Sequence, residues 1–405
     1  MRAKHADTYH RCCMPYVPML PPCSPGDWDD DRRRRRLRDT RLGHSPNAGR
    51  VRRTLARIAY LLVPLVVLAA QYWSWDVAPV REQLALTQPQ IHQVHDAPPG
   101  ALDTAVVDLV GLGNLDATAT AESLPALSEI GQVWAVEYDN RGLDTAVVSD
   151  MILERAGWSG VENIVLVGHS MGGIIALEVA QHLYEETPLE VTGVVLDCTP
   201  VDLHAVRAES RNAGEEMLRW AGWIPGARES RIMRMSVEIA ARQERFVVPS
   251  DGWYLRIDTA ELRGVIEEVL RDKILSGDAP SNGMIESQFR AIVASGAIDN
   301  LQALADERDD KARPAVVFLR PRNALNDPVV DVEYTQQILR DQSGGPDGTL
   351  LVSKLDGIGH ANPIQAPAAY NEAITRRILP FLDSRPGAAE TNDEGVAESV
   401  VPDGS

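Results

Sequence analysis

The sequence predicts an α/β fold: a doubly wound, mostly parallel sheet with a helical cap insertion, preceded by one N-terminal transmembrane helix. Three observations carry that prediction. Between residues 104 and 200, short β-branched runs alternate with amphipathic helical patterns, the rhythm of βαβ units whose sheet is covered on both faces. The rhythm stops from about Val201 to Arg313, where helical patterns dominate, and resumes at Ala315. Near the start of the chain, Ile58 to Trp75 runs for 18 residues without a charge.

Residues 1–50 are rich in Pro, Asp and Arg, include the run Arg32 to Arg36, show no helical or strand period, and are expected to be disordered. Up to Arg57 there are 14 Lys/Arg against 6 Asp/Glu, whereas the remainder holds 26 against 52. A basic head thus precedes an acidic body, and the acidic body argues against nucleic acid as a partner. Cys12, Cys13 and Cys23 all lie in the head, which leaves Cys198 alone in the body. No disulfide can form within the body, and the cysteine spacing does not suit structural zinc.

Residues 51–80 read as a signal anchor. Eighteen helical residues span about 27 Å, close to the hydrocarbon thickness of a bilayer. Tyr72, Trp73 and Trp75 cluster at the distal end, where amphipathic rings favour the headgroup level. Arginines before the segment, and almost no basic residues just after it, predict a cytoplasmic N-terminus and an extracytoplasmic body. A secretory signal cleaved near Val67-Leu68-Ala69 has the same charge layout and would leave the body secreted. Arg52-Arg53-Thr54-Leu55 also partly resembles a twin-arginine signal.

The first part of the core, residues 81–200, opens on a polar connection that runs over 76–103 and contains Pro98-Pro99-Gly100. His92 and His95 stand three apart there, and read as surface histidines because no carboxylate or cysteine cluster accompanies them. Strands are expected at Thr104–Val110, Val133–Tyr138, Asn163–Val167 and Val191–Asp197, with a helix from about Ala146 to Ala156. Within the cap, residues 201–313, Leu262, Val265, Ile266, Val269, Leu270 and Ile274 form an apolar stripe that Asp258 and Glu261 are placed to cap. The cap is expected over the carboxyl edge of the sheet. The second part of the core, residues 314–383, supplies strands at Ala315–Leu319 and Leu350–Ser353, a helix near Val332–Arg340 and a closing helix from about Ala366 to Leu382. Residues 384–405 are acidic, rich in Gly, Pro and Ser, and expected to be disordered.

Gly168-His169-Ser170-Met171-Gly172-Gly173 lies between the Asn163–Val167 run and a helical pattern of Ile175, Val179 and Leu183. A sharp strand-to-helix turn needs small residues around a strained corner, so this is the G-x-S-x-G nucleophile elbow, with Ser170 as the candidate nucleophile. A serine hydroxyl needs a base, and three histidines follow it. His182 lies about 18 Å along the same helix and cannot reach. His204 and His360 both follow strand ends and stay eligible, with His360 favoured by its flanking glycines. The base in turn needs a carboxylate. Asp327 has the required place between nucleophile and histidine; Asp331, Asp197 and Asp356 are its rivals. For the oxyanion, the backbone N–H groups of Met171 and Leu112 are the candidate donors, with Gly111 shaping the turn. Gly111-Leu112-Gly113 lacks the third glycine of a dinucleotide fingerprint.

These residues give the chain a resemblance to the α/β-hydrolase family over about 101–383, cap excluded. It rests on the loop at 111–114, Asp139-Asn140-Arg141-Gly142, Gly168 to Gly173, and the late Asp327 and His360. Members often carry His-Gly at the oxyanion turn, whereas this chain has Val110-Gly111. The backbone donor remains, but a side chain that commonly braces the loop is lost. The resemblance implies an α/β-hydrolase fold and a serine hydrolase that cleaves a carboxylic ester by way of an acyl-enzyme; the N-terminal segment adds the expectation that it is membrane-anchored. Alternatives are an acyltransferase or thioesterase with the same triad, or a non-catalytic binding protein on this fold. The implied partners are a small-molecule ester or lipid-like substrate and the membrane, with no metal or organic cofactor.

Overall fold

The computed structural model describes residues 30–36, 48–248, 256–277, 279–306, 308, 311–344 and 348–384. The expectations of disorder for the basic head and the acidic tail therefore fall, apart from 30–36, 48–50 and 384, outside the described residues, and 48–50 are helical where the sequence predicts no regular element. The chain divides into two compact units, residues 1–72 and 73–405.

In the first unit, residues 30–36 form a short exposed helix where the sequence predicts no regular element. Arginine is a strong helix former, and Asp30 pairs with Arg33 one turn on at 3.8 Å. Helix α1, Ala48–Tyr72, carries Pro64 in its interior. Its apolar side chains, Leu61, Leu62, Leu65, Val66 and Leu68 among them, are exposed. The helical stretch Val51–Leu84 is long and apolar enough to cross a membrane.

The second unit begins with a π-turn at Trp73–Val77 and helix α2, Ala78–Leu84. Strand β1, Gln90–His95, then pairs antiparallel with β3, Gln132–Glu137. The polar connection of the sequence reading thus contains a helix and an edge strand. A bulge between Gln93 and His95 explains why the strand was hidden. It shifts the pleat by one residue, so Ile91 and Val94, three apart rather than two, both pack on the core. His92 and His95 are half-buried: His92 Nε2 lies 2.8 Å from Glu137 Oε2, and His95 Nε2 lies 3.2 Å from the Ala121 carbonyl.

Strand β2, Thr104–Leu109, leads to helix α3, Thr118–Glu122, and on to β3. Helix α4, Thr145–Ser159, is capped by Asp144 and leads to β4, Asn163–His169. Helix α5, Met171–Glu186, follows at once, and then β5, Glu190–Asp197. The interruption of the rhythm is helical, as predicted. It holds α6, Ala208–Ala221; α7, Arg231–Ala241; α8, Gln243–Phe246; a two-residue pair of strands, β6 at Val247–Val248 and β7 at Arg256–Ile257; α9, Thr259–Val269; α10, Asn282–Val293; and α11, Ala297–Ala305. The core resumes with β8, Ala315–Pro321, helix α12, Val332–Ser343, and β9, Leu350–Leu355, and closes with α13, Pro367–Ala373, and α14, Leu379–Asp383.

Seven strands form one sheet in the order β1-β3-β2-β4-β5-β8-β9, parallel except for β1. Strand β4 lies at its centre, buried from Ile164 onward, which is why its run is continuously apolar there. The predicted stripe on α9 builds a small core of its own: Val265 and Val269 pack with Phe246, Leu262 and Ile274. Asp258 accepts from the N–H groups of Ala260 and Glu261, capping that helix as expected. Helices α10 and α11 instead send Met284, Phe289, Ile292, Leu301 and Leu304 into the main core.

Candidate active site

The chain turns from β4 into α5 within a single residue. Ser170 is that residue, at φ 55° and ψ −122°, a region that costs a side-chain-bearing residue of order 1–3 kcal/mol. The turn closes only because its neighbours lack side chains. A Cβ at Gly168 would strike the backbone of Gly172 and Gly173, and one at Gly172 would strike the carbonyls of Leu109 and Val110. Met171 is the first helical residue, so its N–H has no intrahelical acceptor.

Ser170 Oγ lies 2.8 Å from His360 Nε2, and His360 Nδ1 lies 2.9 Å from Asp327 Oδ2. His360 reaches Ser170 from the loop after β9. Asn362 Oδ1 accepts from the Gly359 N–H at 3.0 Å, and Ala361 adopts φ 38°, so the loop folds back on itself around His360. Asp327 follows β8 and is fully buried. Its other oxygen accepts from the N–H groups of Val329 at 2.9 Å and Val330 at 2.8 Å. Burial alone would raise this carboxyl. The hydrogen bond and charge of His360, with the two backbone donors, outweigh burial and hold it below the ordinary carboxylate range. The structure therefore brings Ser170, His360 and Asp327 into one hydrogen-bonded line.

The rival residues are engaged elsewhere. His182 faces Glu186 at 3.4 Å. His204 belongs to the short turn Leu203–Ala205. Asp331 caps α12, and Asp356 pairs with Arg322 at 2.6 Å. Asp197 binds a different histidine. Its Oδ2 lies 2.8 Å from Nδ1 of His169, whose Nε2 is 3.0 Å from Asp108 Oδ1. These three residues come from the carboxyl ends of β5, β4 and β2 and are almost completely buried. Burial opposes the charge on His169, but the two carboxylates overcome it and push its pKa up to about 10, so the ring is an imidazolium at neutral pH.

Asp197 also joins the Ser170 turn to the His360 loop. Its carbonyl accepts from the Ser170 N–H at 2.8 Å. Its Oδ1 accepts from the Tyr370 hydroxyl at 3.1 Å, and that hydroxyl accepts from the Asn362 N–H at 3.2 Å. Burial, followed by the charge of Asp197, raises the Tyr370 pKa and keeps it a donor.

The Gly111–Asn114 loop faces Ser170: a Cβ on Gly111 would lie 3.1 Å from that of Ser170. Leu112 lines the same cavity as Ser170 and His360. The brace missing from this loop in the sequence reading comes from α10. Buried Gln288 accepts from the Gly113 N–H at 2.9 Å and donates to the Asn114 carbonyl at 2.8 Å. Its signal was present: Gln288 lies four residues from both Met284 and Ile292, on an apolar helical face where a buried amide needs partners.

A cavity of about 690 Å³ opens onto Ser170 and His360. Val110, Leu115, Val206, Phe289, Ile292 and Val330 form its apolar wall, and no lysine or arginine lines it among the described residues. Phe289 and Ile292 bring α10 to the carboxyl edge of the sheet. Among the described residues, Cys198, Asp327 and His360 bring possible metal-ligand atoms within 4.8 Å of one another. Asp327 and His360 already bind each other, and burial, with the charges of Asp197 and Asp327, pushes the Cys198 thiol up and keeps it protonated. That donor set does not favour a metal ion.

The sheet order and the strained serine at the end of its central strand define a doubly wound α/β protein of hydrolase type. The chain belongs to the alpha/beta hydrolase family, whose model matches residues 70–373. No curated protein matches the sequence. Among solved structures, the enol-lactonase from Burkholderia xenovorans LB400 is similar at 15% identity, over 74% of this chain and 97% of its own, with a TM-score of 0.47. The esterase from Exiguobacterium antarcticum is similar at 16% identity over 74% and 96%, with a TM-score of 0.45. A bacterial membrane phospholipase A is similar at 18% identity over 81% and 98%, with a TM-score of 0.43.

Proposed function

We propose that the chain is a membrane-anchored serine hydrolase that cleaves a carboxylic ester through an acyl-enzyme at Ser170. The observation that carries this reading is the continuous line from Ser170 Oγ to His360 Nε2 at 2.8 Å and from His360 Nδ1 to Asp327 Oδ2 at 2.9 Å. With Asp327 ionised, His360 keeps its proton on Nδ1 and presents a lone pair on Nε2 to the serine hydroxyl. Ser170 Oγ attacks the ester carbonyl carbon as its proton passes to Nε2. The oxyanion is met by the N–H groups of Met171 and Leu112. Collapse expels the alcohol, which takes the proton back from Nε2. Water, activated by the same nitrogen, then releases the acid and restores Ser170.

The apolar wall of the cavity and its lack of cationic side chains favour an uncharged ester with an apolar acyl group. The helical stretch Val51–Leu84, which is long and apolar enough to cross a membrane, supports anchoring, and the arginines that precede its uncharged part favour an extracytoplasmic body. A fluorophosphonate probe tests the chemistry. Full-length protein in neutral detergent is expected to label, Ser170→Ala is not, and an ester series of increasing chain length should reach its best kcat/KM with apolar acyl groups. Folded wild-type protein that fails to label ends the serine-hydrolase reading. Extraction of the membrane fraction at alkaline pH tests anchoring, which fails if the full chain is released.

A further inference from the structure

Asp76 is the first charged residue after the uncharged run Ile58 to Trp75, yet it is buried rather than left to solvent. Its carboxyl closes the start of α7. Oδ1 accepts from the N–H groups of Arg231 at 3.0 Å and Ile232 at 3.4 Å, and Oδ2 accepts from the Ser230 hydroxyl. Ser230 Oγ in turn accepts from the Met233 N–H at 3.0 Å. The opening N–H groups of an α-helix have no acceptor within the helix. Helix α7 takes its acceptor for Arg231 and Ile232 from a residue 155 positions before Arg231. The next residue, Val77, is fully buried against Gly226, where a Cβ would lie 2.6 Å from Val77 Cγ2. The Arg81–Glu229 pair at 2.7 Å forms the outer edge of this joint; its arginine is half exposed, so it adds little.

The same turn is fastened on its other side to the start of α10. The side-chain amide of Asn282 donates to the carbonyls of Ala227 at 2.7 Å and Ser230 at 3.0 Å. The Gly283 N–H donates to the Arg228 carbonyl at 2.9 Å, and buried Glu286 lies 3.0 Å from Arg228 Nε. The turn at 226–232 is thus held between Asp76 and Val77 on one side and the first turn of α10 on the other, and Ser230 binds both. About 9 Å further along α10, Gln288 fastens the loop at Gly113 and Asn114, and Phe289 and Ile292 line the cavity. We propose that Asp76 is a positioning residue of the active site: from the segment that follows α1, it seats α10 and, through Gln288, the oxyanion loop. The effect on turnover rests on the Ser170 chemistry proposed above, whereas the seating of α10 does not. The first residues after the apolar helix then govern the rate as well as the attachment of the body.

Two readouts on full-length protein in neutral detergent test this. The first is turnover of an activated short-chain ester, expressed per site titrated by a fluorophosphonate, so that loss of folded protein does not count. Asp76→Ala should lower kcat per titrated site by about three- to tenfold with KM unchanged. Asp76→Asn should recover most of the loss, because its amide oxygen can still accept from Arg231 and Ile232. Asn282→Ala, which cuts the same path on its other side, should match Asp76→Ala, and the two together should cost less than the product of their separate effects. The second readout is amide hydrogen exchange, which in Asp76→Ala should quicken over 282–288 and 111–115 and stay unchanged over 163–168. Where Asp76→Ala does not fold, Asp76→Glu, which displaces the carboxyl by one methylene, takes its place under the same outcomes. An unchanged kcat per titrated site, no recovery in Asp76→Asn, or fully multiplicative effects with Asn282→Ala overturns the proposal. Folded wild-type protein that does not label removes the serine-hydrolase reading instead, and exchange then decides alone: quickening at 282–288 and 111–115 upholds the seating of α10, and its absence ends it.

Discussion

Ser170 lies between two histidine–carboxylate assemblies of opposite character. Behind it, His169 is sealed between Asp108 and Asp197; in front of it, His360 has one carboxylate, Asp327, and faces the cavity. The groups are the same in kind, but the wiring differs. A hydrogen bond from Nδ1 to Asp197 and the Asp108 carboxylate 3.0 Å from Nε2 favour the charged ring of His169, with the pKa pushed up to about 10. That ring can accept nothing from Ser170. His360 spends one nitrogen on Asp327 and leaves the other 2.8 Å from the serine oxygen. The number of carboxylates on an imidazole, and its access to the cavity, separate a buried cross-link from a candidate base.

Substitutions can break this contrast, and the largest effects belong to the front assembly. Ser170→Ala and His360→Ala should each lower kcat for ester turnover by about 10⁶-fold, roughly 8 kcal/mol, with an unchanged melting profile. Asp327→Asn should lower kcat by about 10⁴-fold, since the wrong tautomer of His360 is then favoured. Steady-state kinetics on an activated ester checks both.

The back assembly should register in stability instead. His169→Asn leaves two buried carboxylates without their cation and should cost about 3–5 kcal/mol in denaturant unfolding. The pH dependence has a definite sign. The folded pKa of His169 lies above the ordinary histidine value of about 6.5, so the folded state keeps a proton that the unfolded state releases. Stability from this group is full below about pH 6.5 and is lost as pH rises toward 10. Tm measured between those limits should fall in the wild type and fall less steeply in His169→Asn. The smallest effect sharpens the comparison at the oxyanion loop. Gln288→Ala should lower kcat roughly tenfold, about 1.4 kcal/mol, with KM little changed, because the loop loses its brace while the cavity keeps its apolar wall.

Local chemistry made much of this legible in the sequence. The glycines around Ser170, the buried strand before it and the order Ser170, Asp327, His360 were readable because each rests on spacing or on a turn. Three things were not. Strand β1 was hidden because its bulge replaces a spacing of two by a spacing of three between Ile91 and Val94. The partnership of Asp197 with His169 depends on the sheet order, which puts β4 between β2 and β5 and is not encoded in any one segment. Gln288 stands in the stretch where the βαβ rhythm is lost, so nothing local tied it to a loop 175 residues earlier.

Gln288 has a consequence for engineering. Phe289 and Ile292 shape the cavity from the same helix that, through Gln288, fastens the loop at Gly113 and Asn114. On the proposed mechanism, selectivity and turnover are therefore not separable modules in this chain. On that mechanism, exchanging the 282–293 helix for another to admit a different substrate is expected to retune the rate in the same stroke, unless the glutamine is carried over with it.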